Sequence, residues 1–292
     1  MKCELCPRMC RVNRTEKKGF CGQTDTVRIA RAGLHMWEEP VISGELGSGT
    51  IFFSGCTLRC CFCQNYEISQ ENKGYNVSVQ ELAEIFLDLQ EHGAHNINLV
   101  SPTPFVPSII RALDTVRPKL NIPVVYNCGG YERVETVKML DGYVDIWLPD
   151  LKYFSAEASK KYSGAQDYFD IAIEAVTEMQ RQVGKPVFGD DGMMKRGVIV
   201  RHLLLPTLRH DSARVIQALG KRFDKDEILL SVMSQYVPMH RAKEFPEINR
   251  RVSTFEYNYV LSQAEKFGFN GFSQERDAAT EAYVPPFEGD AP

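Results

Sequence analysis

The sequence predicts an α/β fold, a partial (β/α)6 barrel behind a short N-terminal metal-binding extension, and three observations carry that expectation. From about residue 50 onward, short apolar β-branched runs alternate with amphipathic segments, the pattern of repeated βα units around a parallel sheet. The chain has 292 residues, 43% hydrophobic and 25% charged. That is ordinary for a soluble globular protein, and a single α/β barrel commonly runs to roughly 250 residues. Eight of the nine cysteines fall before residue 64, at positions 3, 6, 10, 21, 56, 60, 61 and 63. In a reducing compartment such crowding argues for metal rather than disulfides.

The elements follow in order. The first strand is expected at Thr50–Ser54. Ser78 can cap a helix in which Leu82, Ile85, Phe86 and Leu89 recur on one face, and Gly93 ends it. A strand near Asn96–Val100 leads to a helix near Val106–Val116, which closes before Pro118. A third strand, Pro123–Tyr126, runs into Asn127-Cys128-Gly129-Gly130, and a fourth, Val144–Leu148, into Pro149-Asp150-Leu151-Lys152. Helices are expected at Ala156–Tyr162 and Tyr168–Val183, and Gly184–Gly197, polar and glycine-rich, reads as a loop. A fifth strand, Val198–Leu205, a helix near Ala213–Phe223 and a sixth strand, Ile228–Met233, follow. One more helix, Thr254–Phe267, and the segment Phe269–Phe272 precede an acidic, proline-bearing end expected to fray. The chain thus divides into an extension at 1–49, a core at 50–275 and a tail at 276–292.

The first strand delivers the chain into Ser54-Gly55-Cys56-Thr57-Leu58-Arg59-Cys60-Cys61-Phe62-Cys63. Cysteines spaced x3 then x2 on one loop can wrap three thiolates around three irons of a cubane cluster. Three ligands for four irons leave one iron open to a substrate chelate. Parallel barrels build their sites at the C-terminal ends of strands, where this loop lies. A structural zinc would want four ligands. Cys61 interrupts the spacing and is read as a non-ligand.

These residues resemble the radical S-adenosylmethionine (SAM) superfamily, whose hallmark is Cys-x3-Cys-x2-Cys with an aromatic residue before the last cysteine; Cys56, Cys60, Phe62 and Cys63 match it. The resemblance implies a radical SAM barrel and a 4Fe-4S cluster on Cys56, Cys60 and Cys63. It also implies S-adenosyl-L-methionine chelated at the open iron and split reductively to methionine and a 5′-deoxyadenosyl radical, with Phe62 beside the adenine. More closely, the chain is similar to the pyruvate formate-lyase activating enzyme-like branch with a cysteine-rich N-terminal extension. The phrases GTIFFSGCTLRCCFCQNYEIS, NLVSPTPFVP, YNCGGYE, DIWLPDLKYF and VRHLLLP carry that likeness over nearly the whole chain. It implies an oxidoreductase that makes a glycyl radical on a partner enzyme, supplied with electrons by a protein reductant such as flavodoxin or ferredoxin. Direct radical chemistry on a small molecule or peptide is the rival within enzymology, and the polar insert could shape access for either. An iron-sulfur electron-transfer or sensor protein is the non-enzymatic rival.

Where superfamily members carry Gly-Gly-Glu after the second strand, this chain reads Ser101-Pro102-Thr103-Pro104. Backbone carbonyls there could still accept from an ammonium. After the third and fourth strands stand Asn127, Asp150 and Lys152. The resemblance implies that Asp-x-Lys helps bind the methionine carboxylate and a nearby monovalent cation; such a cation chelated by Asp150 with a backbone or Asn127 oxygen would be hard-ligand chemistry. In the fifth strand, alternation points one of Arg201 and His202 into the barrel. Arg201, with its bidentate fork, is the candidate for the carboxylate, and His202 is read as a core histidine. Ser231, Ser234, Gln235 and Tyr236 end the sixth strand and could face adenine or ribose.

Cys3, Cys6, Cys10 and Cys21, spaced x2, x3 and x10, suffice for a closed zinc or iron-sulfur site, and the spacing does not say which. A short loop-rich segment would gain folding energy from a structural metal, and a cluster relaying electrons toward Cys56 is the other reading. Cys128 is read as a buried, isolated thiol. The net charge of −4, 34 basic against 38 acidic residues, leaves no electrostatic footprint for nucleic acid. No stretch resembles a signal peptide or reaches the ~18 apolar residues of a membrane helix, so the expectation is a cytoplasmic protein with no membrane partner.

Overall fold

The structure is a computed structural model that describes residues 2–273. The tail 276–292 lies outside the described residues, as do the last two positions of the 50–275 core. In chain order the elements are β1 (Val27–His35), α1 (Pro40–Ser43), β2 (Ser48–Phe53), α2 (Tyr66–Ser69), β3 (Tyr75–Val77), α3 (Val79–Glu91), β4 (Ile97–Val100) and α4 (Val106–Val116). Then come β5 (Val124–Cys128), α5 (Val134–Met139), β6 (Ile146–Pro149), α6 (Ala156–Ser163), α7 (Tyr168–Val183), β7 (Val187–Phe188) and β8 (Met194–Leu203). The series ends with α8 (Arg209–Arg222), β9 (Leu229–Met233), α9 (Thr254–Phe267) and β10 (Gly271–Ser273).

One sheet runs β10-β9-β8-β6-β5-β4-β2-β1-β3, with β7 on β8. From β2 to β10 its neighbours are parallel, and β1 and β3 are added antiparallel at the other edge. The result is the open, partial barrel expected, with three differences. The parallel part has seven strands instead of six, because Gly271–Ser273 pairs with β9. β1, within the 1–49 segment, pairs along β2 from Ile29–Phe53 to His35–Ser48 and joins the sheet. The Gly184–Gly197 insert is a hairpin rather than a loop, since Val187 pairs with Arg196 and Phe188 with Met194. The hairpin makes β8 begin four residues earlier than its apolar run.

Side-chain alternation builds two layers. Leu82, Phe86 and Leu89 of α3 pack with Ile97, Leu99, Ile109 and Leu113, and the aromatic block Tyr126, Trp147 and Tyr168 continues the helix-facing core. On the concave face Val125, Ile146, Leu148, Ile199 and Leu229 form an apolar floor. Two residues further along their strands stand Asn127, Asp150, Arg201 and Ser231. A polar layer therefore sits on the floor at the C-terminal ends of the strands, as barrel geometry requires.

Candidate active site

The loop after β2 gathers three thiols around one cavity of about 240 Å³ that Cys56, Cys60, Phe62 and Cys63 line together. Each sulfur has a hydrogen-bond partner. The Leu58 N–H donates to Cys56 Sγ at 3.4 Å, the Ser163 hydroxyl to Cys60 Sγ at 2.9 Å, and Ser69 Oγ lies 3.3 Å from Cys63 Sγ. Burial pushes the Cys63 thiol up to about 12 and raises Cys60 as well, against the pull of the Lys152 ammonium. Deprotonated sulfur at these positions therefore needs a cation beside it, as iron would provide. Cys61 turns away from the cavity. Its N–H donates to the Tyr162 carbonyl and its carbonyl accepts from Arg241, so the backbone fixes it in the outer core. Phe62 stands edge-on to Tyr236, with ring centroids 5.7 Å apart, and both line the cavity.

Around the same cavity, Asn127, Asp150, Lys152 and Arg201 form one hydrogen-bonded network. Lys152 Nζ donates to Asp150 Oδ2 at 2.6 Å, and Arg201 Nε to Asp150 Oδ1 at 2.9 Å. Arg201 Nη2 donates to Asn127 Oδ1 at 2.5 Å, and Nη1 to Glu38 Oε2 at 3.0 Å. Burial alone would raise the Asp150 carboxyl, but the Arg201 and Lys152 charges outweigh it and hold it below the usual range. The same pairing holds Lys152 above the usual lysine value despite burial. Both Asp150 oxygens and Asn127 Oδ1, the oxygens expected to hold a monovalent cation, thus face cationic side chains. Arg201 likewise has Nε, Nη1 and Nη2 on protein acceptors, so it organises the network around Asp150 as well as facing the cavity.

His202 points the other way, fully buried, with Nδ1 2.6 Å from the Leu151 carbonyl. Burial lowers its pKa, and it is a core histidine. Cys128 is buried, as expected, and also forms part of the cavity wall. Ser101 lines the cavity in the left-handed region, at φ 57°, a conformation that a glycine adopts without strain. Gln235 and Tyr236 reach the cavity, whereas Ser231 and Ser234 do not line it. No residue of the 184–197 hairpin lines it. Among the described residues, no three His, Cys, Asp or Glu side chains already surround a single point as one bound ion would require. A cubane differs in spreading its thiolates over separate irons.

Sequence reasoning missed Glu38, which comes from the turn after β1 to accept from Arg201, Asn127 and Asn98. In the sequence it is one of two adjacent carboxylates between Trp37 and Pro40, and only the fold buries both, which pushes their pKa values upward. Ser163 and Ser69 carried no such signal, because long-range packing alone brings Ser163 to Cys60.

The Radical SAM superfamily profile matches residues 50–197, half of the chain. An uncharacterized protein of Methanocaldococcus jannaschii is 33% identical over 278 residues, covering 92% of this chain and 75% of that protein. Among solved structures, a radical SAM methyltransferase from Sphaerobacter thermophilus superposes with a TM-score of 0.53 at 14% identity, over 78% of this chain and 66% of that one. Methylornithine synthase gives 0.51 at 14% identity, over 75% and 68%. At that identity the two structures share the fold. Among the described residues no helix is long and apolar enough to cross a membrane.

Proposed function

The chain belongs to the radical SAM superfamily, and on that premise we propose that it is a glycyl-radical-enzyme activating enzyme that cleaves SAM reductively. Cys56, Cys60 and Cys63 would hold the 4Fe-4S cluster. When bound, that cluster supplies the electron that splits SAM to methionine and a 5′-deoxyadenosyl radical. The chain's own residues bind and orient. Asp150 and Lys152 present an acceptor and a donor to the amino-acid end of SAM, Arg201 and Asn127 fix their positions, and Phe62 with Tyr236 offers an aromatic wall suited to adenine. The hydrogen bonds to the three sulfurs hold the loop open toward the cavity.

The observation that carries the reading is this convergence. Three thiols and Phe62 from the loop after β2, Asp150 and Lys152 after β6, Arg201 near the end of β8 and Tyr236 after β9 all line one cavity. A protein partner is supported by the cavity's edge. His35 and Trp37 line it, and Trp37 is 60% exposed. An exposed aromatic side chain at a cavity edge suits a docked protein loop. An electron for the cluster would come from a flavodoxin or ferredoxin.

The test is anaerobic reconstitution, reduction, and incubation with SAM and a panel of glycyl radical proteins. The expected result is 5′-deoxyadenosine together with the doublet spectrum of a glycyl radical on one partner, the radical being lost in Trp37→Ala. Deoxyadenosine formed without a radical on any partner would overturn the activating role. Its absence under all reducing conditions would overturn SAM cleavage itself.

A further inference from the structure

Residues 2–26 contain no regular helix or strand, and the residues fully buried there are Arg14 and Gln23, both polar. An ordered segment without an apolar core needs some other staple. All four of its cysteines are free thiols. Two turns fold them into one short segment, in which no three of the sulfurs already surround a single point. In the first, Cys3 N–H donates to Val12 O at 2.9 Å, Arg11 N–H to Cys3 O at 3.0 Å, and Met9 N–H to Cys6 O at 3.0 Å. In the second, Gly19 N–H donates to Gln23 O at 2.9 Å. Cys10 Sγ and Cys21 Sγ lie against the same glycine: a Cβ on Gly19 would stand 3.3 Å from one and 3.5 Å from the other.

We propose that Cys3, Cys6, Cys10 and Cys21 bind a thiolate-ligated metal centre of their own, iron-sulfur or zinc, and that this centre holds Arg8 as a clamp on the loop of Cys56, Cys60 and Cys63. Each thiol that ligates gives its proton to solvent, and closing the sulfurs around metal requires side-chain rotation within turns already formed. Arg8, between Cys6 and Cys10, reaches out of the module. Its Nε donates to the Thr57 carbonyl at 2.8 Å, Nη1 to Gly164 O at 2.6 Å, and Nη2 to Ser163 O at 3.1 Å. Ser163 is the residue whose hydroxyl donates to Cys60 Sγ at 2.9 Å. One guanidinium therefore grips both the residue after Cys56 and the helix end that supports Cys60. The Cys21 carbonyl packs on Gly55, where a Cβ would meet it at 2.6 Å, so the module's last ligand also abuts the same loop.

The clamp rests on the reading of Cys56, Cys60 and Cys63 as cluster ligands; the metal centre does not. Two measurements on anaerobically purified full-length protein separate them. In the triple variant Cys56→Ala/Cys60→Ala/Cys63→Ala, elemental analysis after loading with zinc, or with ferrous iron and sulfide, should find one centre retained, and the metal retained on purification identifies its kind. Adding Cys3→Ser, Cys6→Ser, Cys10→Ser and Cys21→Ser should remove it. In otherwise native protein, Arg8→Ala and Arg8→Lys should each speed hydrogen exchange of residues 56–65 about tenfold, the loss of one charge-assisted hydrogen bond, because a lysine cannot reproduce the fork. A metal-free triple variant whose four N-terminal thiols alkylate at the rate of a free thiol would overturn the centre. Unchanged loop exchange in both Arg8 variants would overturn the clamp.

Discussion

Replacing Asp150 with alanine should separate binding of SAM from binding of the cluster. The carboxylate accepts from Lys152 at 2.6 Å and from Arg201 at 2.9 Å, and all three side chains are about 14% exposed. Arg201 keeps Glu38 and Asn127, so the network is broken on one side only. Removing one partner of a buried ion pair costs about 3–5 kcal/mol, since it leaves uncompensated charge behind. At roughly 2–4 °C per kcal/mol for a large domain, the apparent unfolding temperature at fixed scan rate should fall by about 6–20 °C. Asp150→Asn retains one acceptor and the side-chain shape and should fall less. Cluster iron should stay at the wild-type level in both, because the hydrogen-bond partners of the three sulfurs are Leu58, Ser163 and Ser69 rather than Asp150. Affinity for SAM, measured calorimetrically under anaerobic conditions, should drop about ten- to a hundredfold in Asp150→Ala. Wild-type melting and wild-type affinity together in Asp150→Ala would refute the placement of this network at the substrate.

Alanine at Cys56, Cys60 or Cys63 should abolish deoxyadenosine formation, whereas Cys61→Ala, which lies outside the cavity, should keep it; loss in Cys61→Ala alone would change the ligand set. Ser163→Ala removes an O–H donor from Cys60 Sγ and should make the cluster harder to reduce, seen as a lower midpoint in a spectroscopically monitored titration. An unshifted midpoint would show that this hydrogen bond does not reach the cluster's electronics. Glu132 accepts from Thr103 at 2.7 Å and is otherwise buried, and burial pushes its pKa up to about 8. A folded pKa raised above the unfolded value of 4.5 means stability that is full below that value and is lost as pH rises toward 8. Between pH 5 and 8, Glu132→Gln should therefore flatten the decline in melting temperature, and parallel profiles for the two proteins would contradict this.

Local signals were legible where one element decides its own fate. Ser78 and Glu81 form the capping box that starts α3, and the apolar face and Pro118 bound α4 at Val106–Val116, as periodicity predicts. The spacing of Cys56, Cys60 and Cys63, and the Arg201–His202 alternation, carried over to one cavity for the same reason: each follows from the geometry of a single strand or loop. What was not legible depends on partners. Three residues at Gly271–Ser273 are too few for a periodic signal and become a strand because β9 offers its edge. Val187 and Phe188 are half-exposed and pair only with the start of β8. Glu38 lies 163 positions from Arg201, and nothing local says that a turn after β1 enters the barrel. The same holds for Arg8 and Ser163, 155 positions apart.

The central claim is an iron-sulfur cluster with one iron left open to SAM by three protein thiolates. Electron paramagnetic resonance of the reduced protein, recorded before and after adding SAM, tests it most directly, preferably with Cys3, Cys6, Cys10 and Cys21 replaced so that one cluster contributes. SAM should shift the signal, and the signal should disappear in Cys56→Ala/Cys60→Ala/Cys63→Ala. A cluster spectrum that SAM leaves unchanged at saturating concentration would contradict it.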